Sequence, residues 1–423
     1  MSNSIVPASR KRHFLGLTGN AKVCIALLPL WGIPYCFYYF YLSLYLRENG
    51  VSDARLGILM FAGSAASVVF SFFAAPLVDR MGRRKSTFVF DLLSSALPPL
   101  LFAVSGRFWV AFLGFILTGA NKIMSVGYYL LMSEDADDTQ RVKAFNFFNV
   151  IIVAAGVFVP LASGLVEKYG IVATERLFLY FSSIAMALLA ILRNRLTHET
   201  QIGREVMEKR RGERISLKAL FSPYAESLRY IASRPLALAA TMGNVLFYVY
   251  YILGTNNGLY FTPYFGDALG MNAATAALLG SVFAGGTLAA MLIVNPIAMR
   301  LGVIANSVMG AIVDVIGLAL LAIAPRGNLA WAIAAVALSS IGYGILKSAI
   351  DAAIVVTTDG EARTGIYSTA NILSSLFGIV ASFLISSFYA KNPRTLYVLS
   401  FIIVALIPLG FAVARLFGKR KPA

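Results

Sequence analysis

The sequence predicts an all-α membrane protein, with twelve transmembrane helices in two pseudo-symmetric six-helix bundles. Three observations carry this reading. Hydrophobic residues make up 58% of the chain against 13% charged, with a mean hydropathy of +0.75, whereas a soluble domain carries roughly a quarter charged residues. The 423 residues contain twelve apolar stretches, each near the ~20 residues that a helix needs to cross a bilayer. The two halves also echo each other at an offset of 220 to 222 residues, as internally duplicated membrane proteins do.

The apolar stretches run 23 to 46, 55 to 78, 87 to 105, 108 to 132, 144 to 166 and 177 to 192, then 236 to 264, 274 to 298, 303 to 324, 329 to 356, 365 to 389 and 395 to 417. They are numbered spans 1 to 12. A first segment, 1–22, therefore precedes a bundle over 23–192, a polar central loop over 193–235 leads to a second bundle over 236–417, and a tail covers 418–423. Helices are required because the bilayer offers no partners for an open backbone, and the stretches are too long for barrel strands. In the loop, Ser222 followed by Pro223 reads as a helix start. Leu217, Leu220, Phe221, Tyr224, Leu228 and Ile231 recur beside Lys218, Arg229 and Arg234, which predicts an amphipathic helix on the membrane surface.

A net charge of +16 invites a nucleic-acid reading, but position decides. Counting those at span ends with the adjoining side, 26 of the 36 Lys and Arg residues fall on the side of the termini and central loop, 8 on the opposite side, and two, Lys122 and Lys347, deep inside spans. The positive-inside rule then makes the termini cytoplasmic, in an inner or plasma membrane. The charge serves topology and attraction to anionic lipid, not nucleic acid. Cys24 and Cys36 are twelve residues apart on one helix, about 18 Å, so they are not a disulfide. His13 and His198 lie in polar segments, so no metal site and no intramembrane Ser-His chemistry is expected. A phosphate-binding loop is absent, as is the apolar core of a cleavable leader. The chain reads as neither an enzyme nor an ATP-driven pump, and no cofactor is expected.

Ala75-Pro76-Leu77-Val78-Asp79-Arg80-Met81-Gly82 after span 2 matches Asn295-Pro296-Ile297-Ala298-Met299-Arg300-Leu301-Gly302 after span 8, and Asp137, Arg141 and Asn149 match Asp359, Arg363 and Asn371. The first copy, continuing through Arg83 and Arg84, resembles the loop signature of the major facilitator superfamily, G-x-L-x-D-R-x-G-R-R/K, with Ala75 in place of the first glycine. The resemblance covers nearly the whole chain. It implies a secondary transporter working by alternating access, expected to be monomeric and coupled to protons, and the two lysines Lys122 and Lys347 favour a small polar or anionic organic solute. A drug/proton antiporter is the alternative, as is a non-transporting receptor or scaffold on the same fold. Drug antiporters of the superfamily carry an Arg in span 4 and a Gly-Pro-rich span 5; here Phe115 stands at the Arg position and only Gly156, Pro160 and Gly164 are spaced along span 5. The gating loops would use Asp79, Arg80, Gly82, Arg83, Arg84, Asp137 and Asp359. Arg83 or Arg84 would pair with acids in 134–138. The lock is expected to be one-sided because Met299 replaces the second carboxylate.

Ionisable groups inside a bilayer are functional candidates, and away from their ends the predicted spans hold Asp91, Lys122, Asp314, Lys347 and Asp351. The hairpin at Gly106-Arg107 puts Asp91 and Lys122 at equal depth, as a potential ion pair. Lys347 and Asp351 share a helix face. Asp314 matches Ser339 and Ser340 in depth and has no matched cation, as a proton-coupling group requires, with Asp91 and Asp351 as further candidates. The resemblance places spans 1, 4, 7 and 10 around a central cavity. Its candidate lining is Tyr38, Tyr41, Tyr45, Lys122, Tyr250, Asn256, Asn257 and Lys347.

Overall fold

The computed structural model describes residues 16–104, 106–211, 217–255, 258–356 and 362–418. Among the described residues, twelve helices are long and apolar enough to cross a membrane. They are span 1 (Gly19–Glu48), 2 (Asp53–Met81), 3 (Arg83–Val104), 4 (Phe108–Ser133), 5 (Lys143–Tyr169), 6 (Ile171–Leu196), 7 (Pro235–Ile252), 8 (Ala273–Val294), 9 (Val303–Ala322), 10 (Leu329–Ala353), 11 (Thr369–Lys391) and 12 (Thr395–Leu416). The face where span 1 begins and span 12 ends is called proximal here, the other distal.

The duplication is visible in the backbone. Ser52 caps span 2 by accepting from the Arg55 N–H at 3.4 Å, and Asn272, 220 positions later, caps span 8 by accepting from Thr275 at 2.8 Å. Gly82 and Gly302, again 220 apart, start spans 3 and 9 at φ 82° and 89°. Only glycine adopts that left-handed conformation freely, which is why both copies of the loop motif keep it.

Three expected boundaries are corrected. Span 7 is not continuous to residue 264: it stops at Ile252, the chain turns through Gly254 at φ 71°, and a short helix resumes over Phe261–Asp267. A Cβ on Gly258 would lie 2.5 Å from the Gly254 Cα, so the break depends on two glycines packed backbone to backbone. Span 6 starts at Ile171, six residues before the expected 177. The apolar pattern is interrupted at Glu175 and Arg176, yet Glu175 is buried by neighbouring helices. The loop helix spans Leu217–Ser233, so Ser222 and Pro223 lie inside it and do not start it. Its Ile231 is buried, Tyr224 meets Phe72 of span 2 at 5.9 Å, and the helix packs on span 11, so protein and not lipid alone receives its apolar face. A further helix, Gln201–Lys209, is capped by Thr200, whose hydroxyl accepts from the Gly203 N–H at 2.9 Å.

The bundles meet along spans 2 and 11, where Ser64 and Ser382 hydroxyls are 3.1 Å apart and Phe61 faces Phe383 at 6.0 Å. They meet also along spans 5 and 8, where Ser281 donates to the Val157 carbonyl at 3.4 Å. Between these seams lies a cavity.

Candidate functional site

The cavity holds about 350 Å³ and takes its walls from both bundles, chiefly spans 1, 2, 3, 4, 7 and 11. Spacing of four residues stacks Trp31, Tyr35 and Tyr39 along one face of span 1, with centroids 4.7 and 4.9 Å apart and planes within 12° and 15°. Tyr248 and Tyr251 of span 7 line the same space, and hydroxyls of Ser64, Ser67, Ser94 and Ser95 with the Asn121 amide supply polar groups. Lys122 lines it too, its ammonium 5.6 Å from the Tyr248 ring centroid. Among the described residues no carboxylate pairs with that ammonium. The arrangement offers a cation, aromatic faces and hydroxyls to one enclosed solute. Among the described residues no group of three or more His, Cys, Asp or Glu converges as metal ligands.

Of the eight expected lining residues, Tyr38 and Lys122 are at the cavity. Tyr41 and Tyr45 are buried on the other side of span 1, Tyr45 donating to the Phe102 carbonyl at 2.8 Å. Residue spacing alone selects the wrong face of span 1: the stacked Trp31, Tyr35 and Tyr39 look inward to the cavity instead. Tyr250 is turned into the second bundle, donating to Asp314. Lys347 pairs with Asp351 on its own helix, away from the cavity walls. Asn256, Asn257 and Asp359 lie outside the described residues.

Asp91 does not pair with Lys122; it pairs with Arg193 of span 6, whose guanidinium lies 5.0 Å from the Tyr128 ring centroid. The expected depth is sound and the direction is not. Gly127 packs so closely on Ser86 and Thr87 that spans 3 and 4 are in the anticipated register. In that register Ile123 packs in a cluster with Ala74 and Val78 of span 2 and Phe90 of span 3, and Lys122, one residue and about 100° away, is turned into the cavity. Arg193 escapes the sequence reading because it lies one residue beyond the predicted end of span 6.

Asp314 is fully buried. Tyr250 and Ser339 hydroxyls both donate to its Oδ1, at 3.1 and 2.7 Å, and its Oδ2 has no partner. Glu175, which lies outside the predicted spans, is also fully buried, and neither of its carboxylate oxygens has a partner.

On the proximal face, Arg83 bonds Asp79 at 3.2 Å and Glu134 at 3.1 Å. Glu199 accepts the backbone N–H groups of Arg83 and Arg84 at 2.9 and 3.0 Å, placing a carboxylate on the start of span 3 where the free amides and helix dipole favour one. Gly82 is packed against this carboxylate: a Cβ there would lie 2.5 Å from Glu199 Oε2. Asp137 is a helix cap, accepting from the Gln140 N–H at 2.8 Å.

The distal face carries a lock absent from the sequence reading. Arg47 at the end of span 1 bonds Asp53 at 2.6 Å in its own bundle and Asp267 of the other bundle at 2.9 Å. Tyr389 of span 11 donates to Asp267 at 2.7 Å beneath the same guanidinium. Thr262 donates to the Phe40 carbonyl at 3.1 Å, and Phe40 meets Phe261 at 6.2 Å. Arg47 and Asp267 are 220 residues apart, and Phe40 and Phe261 are 221 apart. Equivalent positions of the two copies touch each other, so these contacts lie on the pseudo-twofold axis. The repeat offset is the sequence signal that points to them.

The family model for the Major Facilitator Superfamily matches residues 25–382. The chain belongs to this superfamily. It is accordingly a multi-pass membrane transporter and not an enzyme. Tetracycline resistance protein, class H, of Pasteurella multocida is 21% identical over 384 residues, covering 90% of each chain. Quinolone resistance protein NorA of Staphylococcus aureus (strain MSSA476) is 23% identical over 227 residues, 52% of this chain and 55% of NorA. The present chain thus matches only about half the length of NorA. The fold is shared with a mutant of nucleoside transporter NupG at TM-score 0.72 and 12% identity, covering 94% of this chain and 100% of that one.

Proposed function

We propose that this superfamily member is a secondary transporter that moves a small organic solute carrying polar or anionic groups by alternating access of its two bundles. One observation carries the reading: the Lys122 ammonium stands among aromatic rings and hydroxyls in a cavity walled by both bundles, with no carboxylate among the described residues to neutralise it. An anionic group on the solute would supply the missing charge, and ring stacking on Tyr35 or Tyr248 would favour a planar body. The Arg47–Asp267 lock closes the distal end, so this conformation is read as the one facing the proximal side. The distribution of Lys and Arg supports taking that side as the cytoplasm and the membrane as the cell membrane. The central loop and tails would meet anionic lipid there, and a single chain suffices for the cavity.

Asp314 is the proposed proton-coupling group. Its Oδ1 takes both available donors and its Oδ2 takes none, so a proton on Oδ2 balances the burial, while hydration as the bundles rock would favour its release. Asp91 and Asp351 have Arg193 and Lys347 as counter-charges and are read as structural.

Efflux is the second reading. Its support is that the relatives bear the names of resistance proteins for tetracycline and quinolones. The test of the site is a thermal-shift screen of the detergent-purified protein against metabolite and drug libraries, run beside Lys122→Ala. Solutes that stabilise the protein through Lys122 should carry an anionic group and lose their effect in the variant. If the stabilising compounds are cationic, or act equally on the variant, the cavity assignment is wrong.

A further inference from the structure

We propose that Glu175 is a proton-binding site of the first bundle, filled and emptied through the distal face and separate from Asp314. Glu175 lies four residues inside the start of span 6, fully enclosed by protein, and both its carboxylate oxygens lack a partner. A buried carboxylate with neither counter-charge nor hydrogen-bond donor is among the most costly groups a protein can hold, and binding a proton removes the charge. Span 6 packs on span 1 through Phe178 against Phe37 at 5.5 Å and through Ser182, which donates to the Pro34 carbonyl at 3.0 Å; further along the same seam, Tyr38 and Tyr41 lie within electrostatic reach of Glu175. The Tyr41 hydroxyl is itself buried without a partner. From span 5, Glu167 lies within electrostatic reach of Tyr41, while Glu167 and Lys168 are exposed at the helix end, as is the adjacent Arg176. The distal part of span 3, Leu92 to Val104, has no ionisable side chain. Asp91 and Arg193 are engaged with each other at the far end of span 6.

Two features connect the site to the transport cycle. Tyr38 lines the cavity and lies within electrostatic reach of Glu175. Tyr41 is six residues before Arg47 on span 1, about 9 Å along the helix. Opening the distal lock would therefore admit water near Glu175, stabilise its charged form and release the proton to that side. Closing it would restore the dry pocket and demand a proton again.

Infrared difference spectroscopy on the lipid-reconstituted protein, with no solute present, tests this independently of the proposed solute and of coupling at Asp314. In Asp314→Asn, the C=O stretch of a protonated carboxylic acid should remain at neutral pH. It should vanish in Asp314→Asn/Glu175→Gln. When Asp267→Ala is added to Asp314→Asn to open the lock, the same band should titrate away at a pH lower by about one unit, a tenfold change in proton affinity. Absence of the band in Asp314→Asn, its survival without Glu175, or a titration that ignores the lock each overturns the proposal. Should Glu175→Gln fail to fold, the presence and lock-dependence of the band in the other two backgrounds still decide it.

Discussion

Removing the Asp267 carboxylate should open the distal face by a calculable amount. Arg47 and Asp267 side chains are 21% and 42% exposed at a separation of 2.9 Å, so the ion pair is screened and contributes about 1 kcal/mol. The hydrogen bond from Tyr389 adds about 1 kcal/mol. Asp267→Ala loses both, about 2 kcal/mol, and should shift the ratio of distal-open to distal-closed protein by about 30-fold. Asp267→Asn retains an acceptor for Tyr389 and should shift it by about 5-fold. The assay is alkylation of a single cysteine at Leu259, a cavity-lining residue that is 3% exposed behind the lock. Cys24 and Cys36 are replaced first, and a membrane-impermeant maleimide is added from the distal side. Because Arg47 also holds Asp53, Arg47→Ala alone mixes two losses. The double-mutant cycle of Arg47→Ala with Asp267→Ala isolates the inter-bundle pair and should return a coupling near about 1 kcal/mol that shrinks in molar salt. A coupling indistinguishable from zero, or unchanged alkylation in Asp267→Ala, would refute the lock.

Three other outcomes are expected. Arg193→Met strands the buried Asp91 and should destabilise the fold by about 3 to 5 kcal/mol in detergent unfolding, with Asp91→Asn/Arg193→Met recovering most of it; independent, additive losses would contradict the pairing. Lys122→Ala, by contrast, breaks no ion pair among the described residues and should leave unfolding within about 1 kcal/mol of wild type while abolishing anion-dependent stabilisation; a large stability loss would make Lys122 structural. Gly82→Ala forces φ 82° on a residue with a side chain and pushes on Glu199, so it should cost about 1 to 2 kcal/mol and loosen the loop around Arg83, read as faster proteolysis after Leu196. Proteolysis at the wild-type rate would mean that the glycine is dispensable.

The twelve spans and their duplication are legible in the sequence because a bilayer imposes length and composition on each helix independently of its neighbours. Depth is legible too, since about 1.5 Å per residue counted from a tight hairpin places Asp91 level with the Lys122 region. Direction around the helix is not. One residue turns a side chain by about 100°, and no apolar-polar periodicity marks the cavity face of spans 1 and 7, whose lining residues are all aromatic or aliphatic like their neighbours. Tyr41, Tyr45, Tyr250 and the partner of Lys122 are misassigned for that reason. Glu175 and Arg193 are lost at span ends because a charge reads as an interface unless the packing around it is known. The Arg47–Asp267 contact is recoverable from the 220-residue offset once loop residues are compared as well as motifs.

The most direct measurement of the account is solute flux into reconstituted vesicles under an imposed pH gradient, using a compound that stabilises the wild type but not Lys122→Ala. Wild-type protein should concentrate that compound, and dissipating the gradient should abolish accumulation. Asp314→Asn should still bind it and exchange it between the two sides without concentrating it. Accumulation by Asp314→Asn as strong as that of the wild type would contradict coupling at Asp314, and absence of any solute-dependent flux in the wild type would contradict transport by this cavity.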